Sequence, residues 1–424
     1  MTQTTEQKLE SVYSSVSDAY KGTGADIYAL CKEMRHTQPV WAGDFIGKFG
    51  VPTNAGMKMA TRPIVALFKY QDIMAVLKDS TNFTNGFIAE GLGAVFDGLI
   101  ILAMDGMQHK NVRALLQPAF MPATVNTWKP AIDRAMRDEF LQPMVADKRG
   151  DLAQFGLNFP IRVIYAVMGF PEDPEMYRQY ATWGLAILGA NIIDPEKLPE
   201  ARRQAGLALK GLYDSIMQAV VARRAEGATS DDLISRLIRA EHEGKKLDDH
   251  EVTTFVRSLL PAATETTTRT FSIVMTTLLK DSALMTRIQA DRTLINKLID
   301  ECVRWEPVST FKVREAANDM EIGGVKIAKG SFVQCMVASA NRDETVWGDD
   351  ADVFDLDRRQ KPSFGFGFGP HMCIGQFVAK VEIVCAINAV LDLFPNLRVD
   401  PDKPGPEITG AMLRGASHLH VIWD

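Results

Sequence analysis

The sequence predicts a mainly α-helical chain with small β-sheets, folded as a single large domain. Three observations carry that expectation. Apolar residues recur at three- and four-residue spacing along most of the 424 residues, the period of helices with one buried face. Strand signals are few, short and concentrated late in the chain. No Pro/Ser/Gly-rich linker, charge block, repeat or low-complexity tract divides it, and with 46% hydrophobic residues it can bury a large core.

The elements follow in chain order. Residues 1–25 are polar, lack the apolar region of a signal peptide and read as an N-terminal extension to a domain over 26–424. Helical spacing marks "DIYALCKEMRH", "YQDIMAVLKDS", "HKNVRALLQPAF", "VNTWKPAIDRAMRDEFLQPMV", "LALKGLYDSIMQAVVARRAE" and "DDLISRLIRAEHE". A long central helix is expected over about 248–280, and another runs to Pro307, which ends it. Strands are expected at "RPIVALF", at a hairpin pinned by Gly323-Gly324 in "MEIGGVKIAKGSFVQ", and at "HLHVIW". The Asp- and Arg-rich stretch from Asn341 to Ser363 reads as irregular. A cysteine loop at 363–375 then feeds a last helix, "GQFVAKVEIVCAINAVLDLF".

Composition excludes several classes. A formal net charge of −6 and no dense Lys/Arg run argue against a nucleic-acid surface. No stretch approaches the roughly 18 apolar residues of a membrane span, so no membrane anchor is expected. The cysteines at 31, 302, 335, 373 and 385 are scattered, odd in number and form no C-x-x-C pair. That disfavours a disulfide framework or structural zinc and fits a cytoplasmic protein.

Cys373 stands in an unusual setting, "SFGFGFGPHMCIG". Gly365, Gly367 and Gly369 open backbone conformations closed to other residues and let a flat object approach. Phe364, Phe366 and Phe368 are expected to bring ring surface to the same place. A cysteine just before a helix has its thiolate favoured by the N-terminal N–H groups and dipole. Such a setting suits ligation of iron in a buried planar cofactor, as in a haem held by cysteine thiolate. Two further patterns are weaker alone. Glu301 and Arg304 lie three apart, a spacing that often gives only a surface ion pair. In "LLPAATETTTRT", Pro261 and the β-branched Thr266, Thr267 and Thr268 are expected to kink the long helix near Glu265.

Phe366 to Gly375 matches the F-G-x-G-x-H-x-C-x-G signature at every fixed position, and here the chain resembles the cytochrome P-450 family. The resemblance runs from about Asp26 to Val421 and implies the cytochrome P-450 fold, with Cys373 as ligand of the iron in haem b (iron protoporphyrin IX). It implies that Phe366, Gly367 and His371 serve the cofactor loop. It makes Glu301, Arg304 and Arg358 (in "FDLDR") a buried supporting network. Ala262 to Thr266 resembles the family's (A/G)-G-x-(D/E)-T motif, in which Glu265 and Thr266 would relay protons to the oxygen site, although Ala263 stands where glycine is usual. His109 and Arg113, four apart on one helix face, are similar to family positions that reach the haem propionates. Arg314 and His371 are further candidates, an arginine fork being suited to a carboxylate.

The resemblance further implies a bacterial-type monooxygenase that inserts one atom of O2 into a C–H bond. Electrons would come from NAD(P)H through a ferredoxin or flavodoxin and its reductase, docking on the cysteine side, where Arg287, Lys361 and Lys110 are candidate contacts. By the same analogy the substrate pocket draws on Phe87, Ile88, Leu92, Val95 and Phe96, on Leu185 and Leu188, and on Leu259, Ala262 and Ala263. Val308, Val313, Met412 and Leu413 complete it. That apolar lining fits a moderate-sized apolar molecule, steroid- or terpenoid-like first, a fatty acid or alkyl aromatic next. A peroxide-driven haem-thiolate enzyme and a non-catalytic haem sensor are the alternatives.

Overall fold

Helices take up most of the chain, and several begin where an aspartate caps them. The computed structural model describes residues 5–51, 62–90, 100–170, 173–189, 196 and 198–424. Thr5–Lys21 forms α1. Ile27–Thr37 forms α2, whose cap Asp26 accepts from the N–H groups of Tyr28 and Ala29. Gly106–Leu116 is α3. Leu152–Val167 is α4, capped by Asp151, and Pro174–Gly189 and Leu198–Ala225 are α5 and α6. Asp249–Lys280 is α7, started by a reciprocal capping box between Asp248 and Glu251. Ile295–Trp305 is α8 and Gln376–Leu393 is α9.

The core forms around α7. Phe271 on α7 meets the rings of Phe155 and Phe159 on α4 edge-on, with centroids 5.4 and 5.6 Å away. Buried residues of α4, α6, α7, α8 and α9 belong to one continuous apolar cluster. The helix passes through Pro261 without interruption. The proline forfeits the bond its missing N–H would make, and packing on both sides keeps the rest of the helix in place.

The strands are short. In chain order they are β1 (Val40–Ala42), β2 (Ile64–Leu67), β3 (Phe83–Thr84), β4 (Arg149–Asp151), β5 (Lys312–Ala316), β6 (Met320–Ile322) and β7 (Val325–Ile327). Then come β8 (Phe332–Cys335), β9 (Arg398–Val399), β10 (Ile408–Thr409), β11 (Gly415–Ala416) and β12 (His420–Ile422). The main sheet has the order β1-β2-β8-β5-β3. β8 pairs parallel to β2 and antiparallel to β5, placing Cys335 opposite Lys312. Gly323 and Gly324 turn β6 into β7 with φ of +56 and +79, the positive angles that a two-residue hairpin turn of this hand needs.

The stretch expected as a polar extension is instead a docked helix. Tyr13, Val16, Ser17 and Tyr20 of α1 are buried, and Tyr13 joins the main apolar cluster. Their spacing puts these residues on one helical face. The polar residues between them hide that face from a reading based on composition.

Candidate active site

The cysteine loop turns on glycine. Gly367 and Gly369 have φ of +76 and +70, where an L side chain is strained. A Cβ added to Gly369 would lie 2.3 Å from the Leu77 carbonyl oxygen, and one on Gly365 would lie 2.3 Å from Val303 Cγ1. Close backbone approach therefore fixes the loop against its neighbours. The Gly367 N–H donates to the Phe364 carbonyl at 2.9 Å and the Cys373 N–H to that of Phe366 at 2.8 Å, which delivers the thiol to the start of α9. Solvent reaches the Cys373 side chain, yet protein surrounds it closely enough for burial to push the thiol up. N–H groups of Gly375 and Gln376 and the charges of Lys312 and Arg113 pull the other way.

The three loop phenylalanines do not converge. Phe364 is sunk in the sheet-side core, stacked on Tyr70 at 4.6 Å. Phe366 packs on the main helical cluster. Phe368 lies edge-on to Phe364, with the Lys78 ammonium 5.5 Å from its ring. Phe364 and Phe368 thus meet on the sheet side while Phe366 lies on the helical side, so the ring surface is divided rather than gathered in one place as expected.

A group of basic side chains gathers beside the thiol. His109 on α3 and His371 on the loop lie with ring centroids 4.1 Å apart. Both imidazoles are held neutral, burial being the first cause; His371 is pulled down to about 3, with His109, Arg314 and Arg113 adding to the effect. Arg113 bonds Gln117 and Arg314 bonds the Val313 carbonyl. Lys312, which the sequence reading passed over, stands two before Arg314 on β5 and so shares its face. It is half-buried in surface terms, but the protein around it pulls its ammonium down to about 8, chiefly by desolvation, against the pull of Cys373. Among the described residues no carboxylate pairs with Arg113, Lys312 or Arg314. The Nε2 atoms of His109 and His371 are buried without hydrogen-bond partners among the described residues, and the Asp105 carboxylate stands 3.6 Å from His371 Nε2. Buried polar nitrogens left unpaired, as these two are, are rare. Five donors grouped beside one thiol fit a ligand that brings carboxylates and a thiophilic metal together, as haem does.

Beneath this group lies the ion-pair network. Glu301 and Arg304 are both 0% exposed. Arg304 donates to Glu301 at 2.6 and 2.8 Å and to the carbonyls of Asn341, Ala351 and Val353. Glu301 also accepts from the Asp355 N–H and from Arg358 Nε, at 3.0 and 3.3 Å. The network ties α8 to the irregular segment that leads into the cysteine loop.

On α7, Ala262 and Thr266 form an exposed strip, and Thr266 Oγ1 donates back to the Ala262 carbonyl at 2.9 Å. Thr267 and Thr268 are buried; Thr268 Oγ1 bonds the Gly156 carbonyl at 2.6 Å. Glu265 Oε1 accepts from Arg269 Nε and Nη2 at 3.1 and 3.0 Å, a partner that the sequence reading did not foresee.

The remaining pocket candidates scatter. Phe87 and Ile88 are buried in a small cluster with Phe332 and Val313. Val308, Leu259 and Ala263 pack on the main cluster and Met412 on the sheet-side one. Thr310 bonds the carbonyls of Ala411 and Met412, and Leu413 forms a bridge with Ser309, so these two segments are joined. Leu92, Val95 and Phe96 lie outside the described residues, as do the side chains of Leu185 and Leu188. Of the surface cations, Arg287 pairs with Asp357 through two bonds of 2.7 Å, Lys361 bonds the Val346 carbonyl, and Lys110 is exposed. No helix among the described residues is long and apolar enough to cross a membrane.

Comparison with known proteins finds relatives along most of the chain. The chain is 29% identical to erythromycin C-12 hydroxylase of Saccharopolyspora erythraea, the match covering 92% of each protein. It is 31% identical to cyclomarin C epoxidase CymV of Salinispora arenicola over 89% of this chain and 91% of that one. The crystal structure of CYP109E1 from Bacillus megaterium with corticosterone superimposes with a TM-score of 0.80 at 26% identity, covering 93% of this chain and 98% of that one. The model of the family described as Cytochrome P450 matches residues 54–419, and the chain belongs to that family of haem monooxygenases.

Proposed function

We propose that this chain hydroxylates a C–H bond of a moderate-sized apolar substrate, with electrons from NAD(P)H through a ferredoxin or flavodoxin and its reductase. The observation that carries the reading is the gathering of His109, Arg113, Lys312, Arg314 and His371 beside Cys373. Cys373 would ligate the haem iron, and those five side chains would hold the propionates. Bound there, the haem supplies dioxygen activation, which a thiolate ligand favours by electron release. Phe366 and Gly367 shape the loop under the ring, and the network of Glu301, Arg304 and Arg358 holds the segment leading into it. Thr266, on the exposed strip of α7, and the half-buried Glu265 beside it in sequence move protons toward the oxygen site, a task for an acid and an alcohol within one turn.

A steroid- or terpenoid-like substrate is favoured. Supporting it are the apolar positions Leu259, Ala262, Ala263, Val308 and Met412, and the corticosterone bound by the Bacillus megaterium neighbour. The relatives named for erythromycin and cyclomarin make bulky polycyclic or macrocyclic molecules the next panel to try. Spectral titration of the purified holoprotein with these panels, followed by turnover with a surrogate ferredoxin, its reductase and NADPH, tests the reading. Product that requires reductase and NADPH supports it. Product formed only with added peroxide, or haem that turns over nothing, replaces it with the peroxide-driven or sensor alternative.

A further inference from the structure

Arg269 is, with Arg304, among the largest side chains that the fold buries almost completely, at 1% exposure, and the cytochrome P450 signature does not account for it. Its head group faces two ways. Along α7 it donates two bonds to Glu265 Oε1, and across to α1 it donates to Ser17 Oγ at 3.1 Å. Its guanidinium carbon stands 5.0 Å from the Tyr13 ring centroid and 5.6 Å from that of Tyr20. Its stem packs on Gly415, where an added Cβ would meet Arg269 Cγ at 3.0 Å. The Tyr20 carbonyl accepts from the Ala411 N–H at 2.7 Å, which fastens the end of α1 to the same region.

An i, i+4 Glu–Arg pair on an open helix is weak and mobile. A guanidinium taken out of water is costly unless its donors are met and its charge is balanced. Here Glu265 supplies the balancing charge, while Ser17 and the two ring faces supply the rest. The docked helix and the Glu265–Arg269 pair therefore depend on each other. With α1 in place, Glu265 is 11% exposed on its side chain, and only Oε1 is engaged by the arginine.

We propose that Arg269 is a positioning residue that fixes the Glu265 carboxyl one residue before Thr266 on α7, and that α1, through Ser17, Tyr13 and Tyr20, is the clamp and water seal over the Glu265–Arg269 pair. The N-terminal helix is then part of the proton-delivery apparatus: it closes the outer side of the acid, so protons reach the oxygen site along the Thr266 side. The proposal rests on the relay role given to Glu265 and Thr266 above. The titratable groups around the pair are Tyr13 and Tyr20 from α1 and, beyond Tyr13, Asp151 at the head of α4.

The test uses full-length holoprotein carrying Tyr13→Ala, Ser17→Ala, Arg269→Lys or Arg269→Met, with Thr266→Ala as reference. Two quantities are read: hydrogen exchange of residues 11–21, and hydrogen peroxide formed per NADPH across pH. Tyr13→Ala and Arg269→Met should speed exchange of α1 by about tenfold. They should raise the peroxide fraction by about twofold or more and displace its pH profile. Arg269→Lys should restore much of both. If Arg269→Met does not fold, Tyr13→Ala and Arg269→Lys decide. The proposal is overturned if α1 loosens while the peroxide fraction and its pH profile stay at wild-type values, or if Arg269→Met leaves α1 protected. If Thr266→Ala itself does not uncouple, the relay reading fails, and the exchange data then report on the clamp alone.

Discussion

Replacing Glu301 by alanine should leave the chain unable to hold haem at normal yield. Four hydrogen bonds end on that carboxylate: two from Arg304, one from the Asp355 N–H and one from Arg358. Both members of the pair are fully buried, so the substitution strands the Arg304 charge where water cannot reach it. Breaking such a pair costs about 3–5 kcal/mol, a large part of the roughly 5–15 kcal/mol that keeps a domain folded. Glu301→Gln should rescue little, because its amide N–H groups would face the guanidinium. Arg304→Lys should rescue little as well, since one ammonium cannot serve the acceptors that five donors reach. The exposed Arg287–Asp357 pair is the control: Arg287→Ala should leave stability nearly unchanged, because water screens the pair. Haem per polypeptide and urea midpoints of the purified proteins are the assay. A Glu301→Ala protein with wild-type haem content and a midpoint equal to that of Arg287→Ala would refute the reasoning.

Other outcomes follow from the same geometry. Thr266→Ala should keep haem and substrate binding yet divert NADPH to hydrogen peroxide, whereas Thr268→Ala should keep coupling and lose about 1 kcal/mol of stability with its bond to Gly156; equal uncoupling in both would misplace the relay. Gly369→Ala should abolish haem-loaded protein, because its Cβ would lie 2.3 Å from the Leu77 carbonyl oxygen at a positive φ; normal loading would show that the loop can shift. Lys312→Met and Arg314→Met should each speed haem loss to an excess of acceptor protein, and unchanged loss rates would remove them from the site. Glu382 on α9 is 1% exposed and neither of its carboxylate oxygens has a hydrogen-bond partner among the described residues, so burial pushes its carboxyl well above the ordinary range. The folded protein keeps a proton that the unfolded chain releases, so stability should fall as pH rises from the ordinary glutamate range toward the folded value. Glu382→Gln should flatten that decline, and superimposable stability profiles from pH 5 to 8 would contradict it.

The parts of the site that were legible in the sequence are those where chemistry fixes residue type and spacing together. The cysteine loop needs glycine at set positions because backbone approaches there, and Glu301 with Arg304 needs one helix face. The central helix, expected over about 248–280 and found at Asp249–Lys280, was legible from its periodicity. Other features were hidden for physical reasons. The helix Leu152–Val167 is apolar over most of its surface and contains Gly156 and Pro160, poor helix formers that mask it. Four buried side chains, Tyr13, Val16, Ser17 and Tyr20, spread over eight residues of α1 and look like a polar tail until the helix docks. The Glu265–Arg269 bond is one of many i, i+4 charge pairs in the sequence, and nothing local separates it from a solvated one. Lys312 could have been found from its place two before Arg314 on a strand, the spacing that puts both on one face.

The claim that Cys373 ligates the haem iron is tested most directly by the spectrum of the reduced carbon monoxide complex. The wild-type protein should show the strongly red-shifted Soret band of a thiolate ligand, and so should proteins with alanine at Cys31, Cys302, Cys335 or Cys385. Cys373→His should bind haem without that band. Persistence of the band in Cys373→His, or its loss from one of the other four, would place the ligand elsewhere and contradict the account.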